Sequence, residues 1–171
     1  NVFGFWGFIE RIGQAGGLPA ETIGAALGVA QLAAIGGALA AVAASNRYGR
    51  YWPLLIVFVG QVLALYAVAG RFGALAYFVS TGLFQALFIV GVSYRMGAIA
   101  ELDTRGRFLV MMTAAQGLGA AIGPAVAAPL IGASAGYGGI LWLSAALCLS
   151  STLAFLFIVH RSLRLEGSSN V

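Results

Sequence analysis

The sequence predicts an all-α, polytopic transmembrane helical bundle, and three observations carry that reading. Of 171 residues, 61% are hydrophobic and 8% charged, whereas soluble domains carry roughly a quarter charged residues. Aspartate, glutamate, lysine and arginine are absent from runs 22–46, 51–70, 72–94 and 108–160. A helix needs roughly 20 apolar residues to cross a hydrocarbon core of about 30 Å. Each run reaches that length, and the last is long enough for two crossings.

The segments follow in chain order. Residues 1–13 read as a half helix, because only nine residues precede Glu10, too few to cross a bilayer. Residue 1 is therefore expected inside a transmembrane helix of a longer protein. Segment 22–44 is opened by Pro19-Ala20-Glu21. Segment 53–70 starts with Pro53, whose missing N–H costs nothing in a first turn. Segment 74–100 follows the short turn around Arg71. The long final run divides into 108–131 and 139–159 at Gly132-Ala133-Ser134-Ala135-Gly136-Tyr137-Gly138-Gly139, where the glycines favour a turn. All six are expected to be helices, because an open sheet would leave backbone groups unpaired in lipid. The abundant alanine and glycine suit a bundle held by close helix packing.

Charge gives the orientation. The chain has nine basic residues, all arginine, and a net charge of +4. Arg47, Arg50, Arg95, Arg105, Arg107, Arg161 and Arg164 fall on one side of this span pattern, and Arg11 and Arg71 on the other. The positive-inside rule then makes loops 45–52 and 101–107 and the C-terminal tail cytoplasmic. The basic balance reads as membrane topology rather than nucleic-acid binding, since no basic stripe is present. A single cysteine, Cys148, excludes an intrachain disulfide and a cysteine-based metal cluster.

One loop carries the most informative motif. Arg47-Tyr48-Gly49-Arg50 lies between two spans, within Val42-Ala43-Ala44-Ser45-Asn46-Arg47-Tyr48-Gly49-Arg50-Tyr51. Here the chain resembles the major facilitator superfamily, whose loop signature is G-x-L-a-D-R-x-G-R-[RK]. The R-x-G-R core is intact, Val42 stands at the leading glycine and Asn46 at the acidic position. The resemblance implies the end of helix seven followed by helices eight to twelve, hence the C-terminal half of a transporter. It also implies that Arg47, Gly49 and Arg50 belong to a gating loop; the plainer reading makes the two arginines topology anchors. Gly119-Ala120-Ala121-Ile122-Gly123-Pro124 is similar to the family's G-x-x-x-G-P-x-x-G-G signature, with Ala127 and Ala128 at the closing glycines. Gly119 and Gly123 share a face and permit close packing, and Pro124 is expected to kink the helix.

Polar residues within the spans are the cavity candidates, because polar groups in lipid face the bundle interior or a water-filled path. They are Gln31, Tyr77, Thr81, Gln85, Thr113 and Gln116. Tyr77, Thr81 and Arg95 fall on one side of their helix, with Gln85 at the edge. Gln61 reads as a helix-packing residue. Arg95 either extends to the interface or lines a vestibule. Glu10 is the acid with a position suited to ion coupling, or it forms an interfacial pair with Arg11. Glu101–Arg105 and Asp103–Arg107 have salt-bridge spacing.

An enzyme is not expected. No Gly-x-Ser-x-Gly, no histidine pair and no intramembrane carboxylate cluster is present, so triads and metal hydrolysis lack their parts. The resemblance to the major facilitator superfamily implies secondary active transport of a small solute by alternating access, in a bacterial inner membrane. No cofactor and no metal are implied. The expected partners are an N-terminal six-helix half, lipid, a small-molecule substrate and a coupling ion, with no nucleic acid. A membrane scaffold or receptor, or a six-helix unit that dimerises, are the alternatives.

Overall fold

A computed structural model describes residues 6–44, 47, 49, 51–68, 73–103, 106–130, 142, 144–151 and 153–154. The elements are α1 (Ile9–Ala15), α2 (Ala20–Ala44), α3 (Tyr51–Ala67), α4 (Ala74–Leu102) and α5 (Arg107–Leu130). Residues 144–151 form a further helical segment. Among the described residues there is no strand. The helical membrane bundle is thus the observed fold class.

Of the N-terminal segment 1–13, residues 1–5 lie outside the described residues, Trp6 is helical, Gly7 and Phe8 form a turn, and α1 begins at Ile9. Glycine loses the most backbone entropy in a helix, which places the break at Gly7. The chain then bends at Gly17, whose φ of 78° is in the left-handed region. Pro19 starts α2, its carbonyl accepting the Ile23 N–H at 3.1 Å.

The distribution of side chains on α2 is the reverse of a soluble helix. Its buried positions are Ile23, Ala26, Ala30, Gly37 and Ala41. Its exposed positions include Leu32, Ile35, Leu39 and Val42, the last at 76%. Small residues inside and large aliphatic residues outside give close helix contact and an apolar exterior, which suits a lipid solvent. Water would favour the opposite arrangement. Three helical stretches, Ala20–Ala44, Ala74–Glu101 and Arg107–Val126, are long and apolar enough to cross a membrane, and Trp52–Ala67 is a shorter apolar helix.

The central helix is α4, with α2 on one side and α3 on another. Glycine sets both contacts. Gly37 of α2 lies directly on the Ala86 backbone of α4, and a Cβ on Gly82 of α4 would lie 3.8 Å from Ala33 Cβ. On the α3 side, Gly60 accommodates Leu87, and Gly91 sits against Val57. Phe8, Ile9 and Ile12 close one end of this packing with Ile23, Leu65, Tyr77 and Phe84. The fifth helix is different: none of its residues from Arg107 to Val126 is buried. Its less exposed strip is Leu109, Met112, Gln116, Gly119 and Gly123.

Candidate functional site: polar residues of the spans

The polar residues of α4 separate into different environments. Tyr77 is 0% exposed, and its hydroxyl donates to the Ile9 carbonyl at 2.9 Å. Thr81 is also fully buried and donates to the Tyr77 carbonyl, one turn back in its own helix, at 2.8 Å. Both hydroxyls are therefore satisfied within the α1–α2–α4 packing. Gln85, one turn further, is half-buried. Ser80, absent from the cavity candidates, is 1% exposed and donates to the Ala64 carbonyl of α3. A serine on an apolar span facing a neighbouring helix is the general signal for such a bond.

The bond from Tyr77 fixes α1 to α4. Tyr77→Phe is expected to lower stability by about 1 kcal/mol, the usual net worth of a hydrogen bond. A thermal-unfolding comparison of the full-length protein checks it; an unchanged midpoint would show that α1 is held by apolar contact alone.

The remaining candidates lie on other helices. Gln31 of α2 is exposed, outside the face buried against α4. Gln116 lies in the less exposed strip of α5 together with Gly119 and Gly123, and Pro124 is half-buried beside it. The helix continues unbroken through Pro124 and Pro129. Thr113 is exposed and returns its hydroxyl to the Leu109 carbonyl at 3.2 Å. Gln31 is thus exposed and Gln85 and Gln116 half-buried, on α2, α4 and α5, whereas Tyr77 and Thr81 are enclosed.

Of residues 45–50, Arg47 and Gly49 are described, and Arg50 lies outside the described residues; α3 takes up residues 51 and 52. The Arg47 N–H bonds the Ala44 carbonyl at 3.1 Å, closing the end of α2. Gly49 has φ of 65°, a conformation that costs a side-chain-bearing residue strain. The next loop repeats this device: Gly106, immediately before α5, has φ of 68°.

Arg105, the expected partner of Glu101, lies outside the described residues; the other charged residues make the following contacts. Glu10 accepts from Gln14 at 3.2 Å, and Arg11 lies over the Phe8 ring, 5.7 Å from its centroid. Asp103 is 9% exposed. Its two carboxylate oxygens accept the backbone N–H groups of Arg107 and Leu109, each at 3.0 Å. The i,i+4 spacing thus serves a helix cap, in which the carboxylate satisfies orphan donors of the first turn of α5.

Arg95 folds back along α4 rather than toward its C-terminal end. A Cβ on Gly91 would lie 3.1 Å from its Nη2 and 3.0 Å from Val57 Cγ1 of α3. Side chains on a helix lean toward its N-terminus, and Gly91 leaves the space. Tyr77 and Arg95 share a stripe yet stand about 27 Å apart along the axis, so they cannot form one site. Gln61 of α3 is 2% exposed, and its Oε1 accepts from Cys148 Sγ at 3.5 Å, consistent with a residue in a helix contact.

An apolar-surfaced bundle of long helices with scattered intramembrane polar groups defines an integral membrane protein. The family profile of the Major Facilitator Superfamily matches residues 1–170, and the chain belongs to that family. Its members are transporters rather than enzymes. No curated protein and no solved structure gives a significant match.

Proposed function

We propose that this chain forms the C-terminal half of a secondary active transporter and supplies one wall of a path for a small solute. On this reading α1 belongs to helix seven, and α2, α3, α4 and α5 are helices eight to eleven. An N-terminal six-helix half completes the cavity, and the two halves expose it to each side in turn. The observation that carries the proposal is the family match over residues 1–170 on a chain with six apolar segments.

Gln31, Gln85 and Gln116 are the residues assigned to the path. They are polar groups on spans, and none is sealed in a helix contact. Tyr77 and Thr81 then contribute by holding the wall in shape. Amide side chains on an alanine- and glycine-rich surface suit an uncharged or amphipathic solute, which they bind by hydrogen bonds without a desolvated charge. Arg47, Gly49 and Arg50 lie in a cytoplasmic loop that joins helices eight and nine in a bacterial inner membrane.

Thiol accessibility tests the path. In a full-length protein whose native cysteines, Cys148 among them, are replaced by serine, Gln31→Cys, Gln85→Cys and Gln116→Cys are placed singly. Alternating access predicts labelling by a membrane-impermeant thiol reagent from both faces, in right-side-out and inverted vesicles. Labelling should be several-fold slower at an added cysteine on a lipid-facing position such as Leu39. Labelling at the glutamine positions as slow as at Leu39 would overturn the assignment.

A further inference from the structure

We infer that Gln61 and Arg95 form a site for a small carboxylate, or an oxyanion like it, at the junction of α3, α4 and the helical segment 144–151. This goes beyond the transport path, because none of Gln31, Gln85 and Gln116 takes part in it.

The first observation is an unmatched donor. Gln61 is 2% exposed, its Oε1 is taken by Cys148, and its Nε2 is buried with no hydrogen-bond partner. Leaving a buried amide donor unpaired is costly, and in native proteins such a group calls for an occupant. The second is Arg95. A Cβ on Gly91 would lie 3.1 Å from its Nη2 and 3.0 Å from Val57 Cγ1, so the guanidinium and Val57, one turn along α3 from Gln61, meet at the same point of α4. Arg95 makes no hydrogen bond or ion pair among the described residues. The third is the chemistry of the set. Guanidinium has five N–H donors and no acceptor, the amide nitrogen has two more, and the one amide oxygen is already used. A donor-rich set of groups with one positive charge is complementary to an anion with paired oxygens, which a guanidinium binds bidentately.

Depth selects the source. Gly91 stands ten residues before Glu101, the end of the apolar stretch, which is about 15 Å along the helix. That is roughly half of a 30 Å hydrocarbon core. A lipid phosphate stays at the interface and does not reach this depth, so a free small anion is the occupant.

The test uses the full-length protein in neutral detergent, with unfolding followed by tryptophan fluorescence at constant ionic strength. Sodium acetate or formate replaces sodium chloride stepwise. The expected result is a saturable rise of the midpoint by about 2 °C. Gln61→Leu, which keeps shape and suits an apolar contact, should raise the half-saturating concentration at least tenfold. Arg95→Lys, which keeps the charge and loses the fork, should do the same. Equal midpoints in acetate and chloride would overturn the proposal, as would an acetate response unchanged in both variants. A response to phosphatidylglycerol over phosphatidylcholine in nanodiscs, with none to acetate, would also overturn it in favour of a headgroup. The thiol-accessibility pattern does not depend on any of these results.

Discussion

Gly37→Ala is expected to push α2 and α4 apart and to destabilise the full-length protein by about 3 kcal/mol. A Cβ at this position would collide with the carbonyl oxygen, Cα and carbonyl carbon of Ala86. These are backbone atoms inside a helix, so no side-chain rotation relieves the clash. Overpacking a filled contact costs about 1–3 kcal/mol, and here the obstacle is at the rigid end of that range. In a membrane the loss matters more than in water, because close packing rather than solvent exclusion holds helices together. Gly36→Ala is the control. Its Cβ would meet nothing within 4 Å, and alanine is the better helix former by roughly 0.5–1 kcal/mol. The two variants therefore differ by one position and should differ in sign. Thermal unfolding in detergent reads both; equal midpoints would mean that α2 and α4 do not meet at Gly37 in the membrane.

Asp103→Ala is expected to release the first turn of α5. The carboxylate holds two N–H groups at 3.0 Å each, and losing a helix cap costs about 0.5–2 kcal/mol. Two charge-assisted bonds place Asp103 near the upper figure. The effect on α5 should exceed the effect on the whole protein, since this helix has no buried residue from Arg107 to Val126 to fix it otherwise. Hydrogen exchange gives the local readout. The Arg107 and Leu109 amides should exchange at least tenfold faster in Asp103→Ala, and those of α2 should not change. Asp103→Asn keeps one acceptor oxygen and should fall between. Unaltered exchange at Arg107 and Leu109 would show that water satisfies these donors as well as the carboxylate does. Because Gln116 sits in the less exposed strip of the same helix, a loosened α5 should also alter thiol labelling of Gln116→Cys.

The helices that the sequence marks most clearly are those whose charge-free runs are longest. Runs 22–46, 72–94 and 108–160 contain most of α2, α4 and α5, because in lipid the length of an apolar run is itself the structural requirement. Pro53 falls in the first turn of α3 and Gly49 takes a left-handed φ, as their covalent chemistry dictates. The family loop at Arg47-Tyr48-Gly49-Arg50 was equally legible, since a motif of fixed spacing survives without any knowledge of packing.

Faces were less legible than spans. Large and small apolar residues are mixed around α2, so hydrophobicity alone does not say which side is inside. Ala26, Ala30, Gly37 and Ala41 are buried because they are small enough for backbone contact, and Leu39 and Val42 face outward. The spacing of Tyr77, Thr81 and Gln85 placed them near one another on α4, yet it gave no partner for any of them. Tyr77 meets Ile9, a residue 68 positions away, and that pairing exists only once α1 is laid across α4.

By itself, then, the sequence determined the solvent in which this protein folds, the number of long apolar runs and the tight turn at Gly49. Each follows from composition and local covalent chemistry. The tertiary structure decided what each polar side chain does. It enclosed Tyr77 and Thr81, made Asp103 the cap of α5, and turned Arg95 back over Gly91. A hydrogen bond needs its partner within about 3 Å in a set direction, and residues far apart in the chain acquire such relations only from the packing of helices against one another.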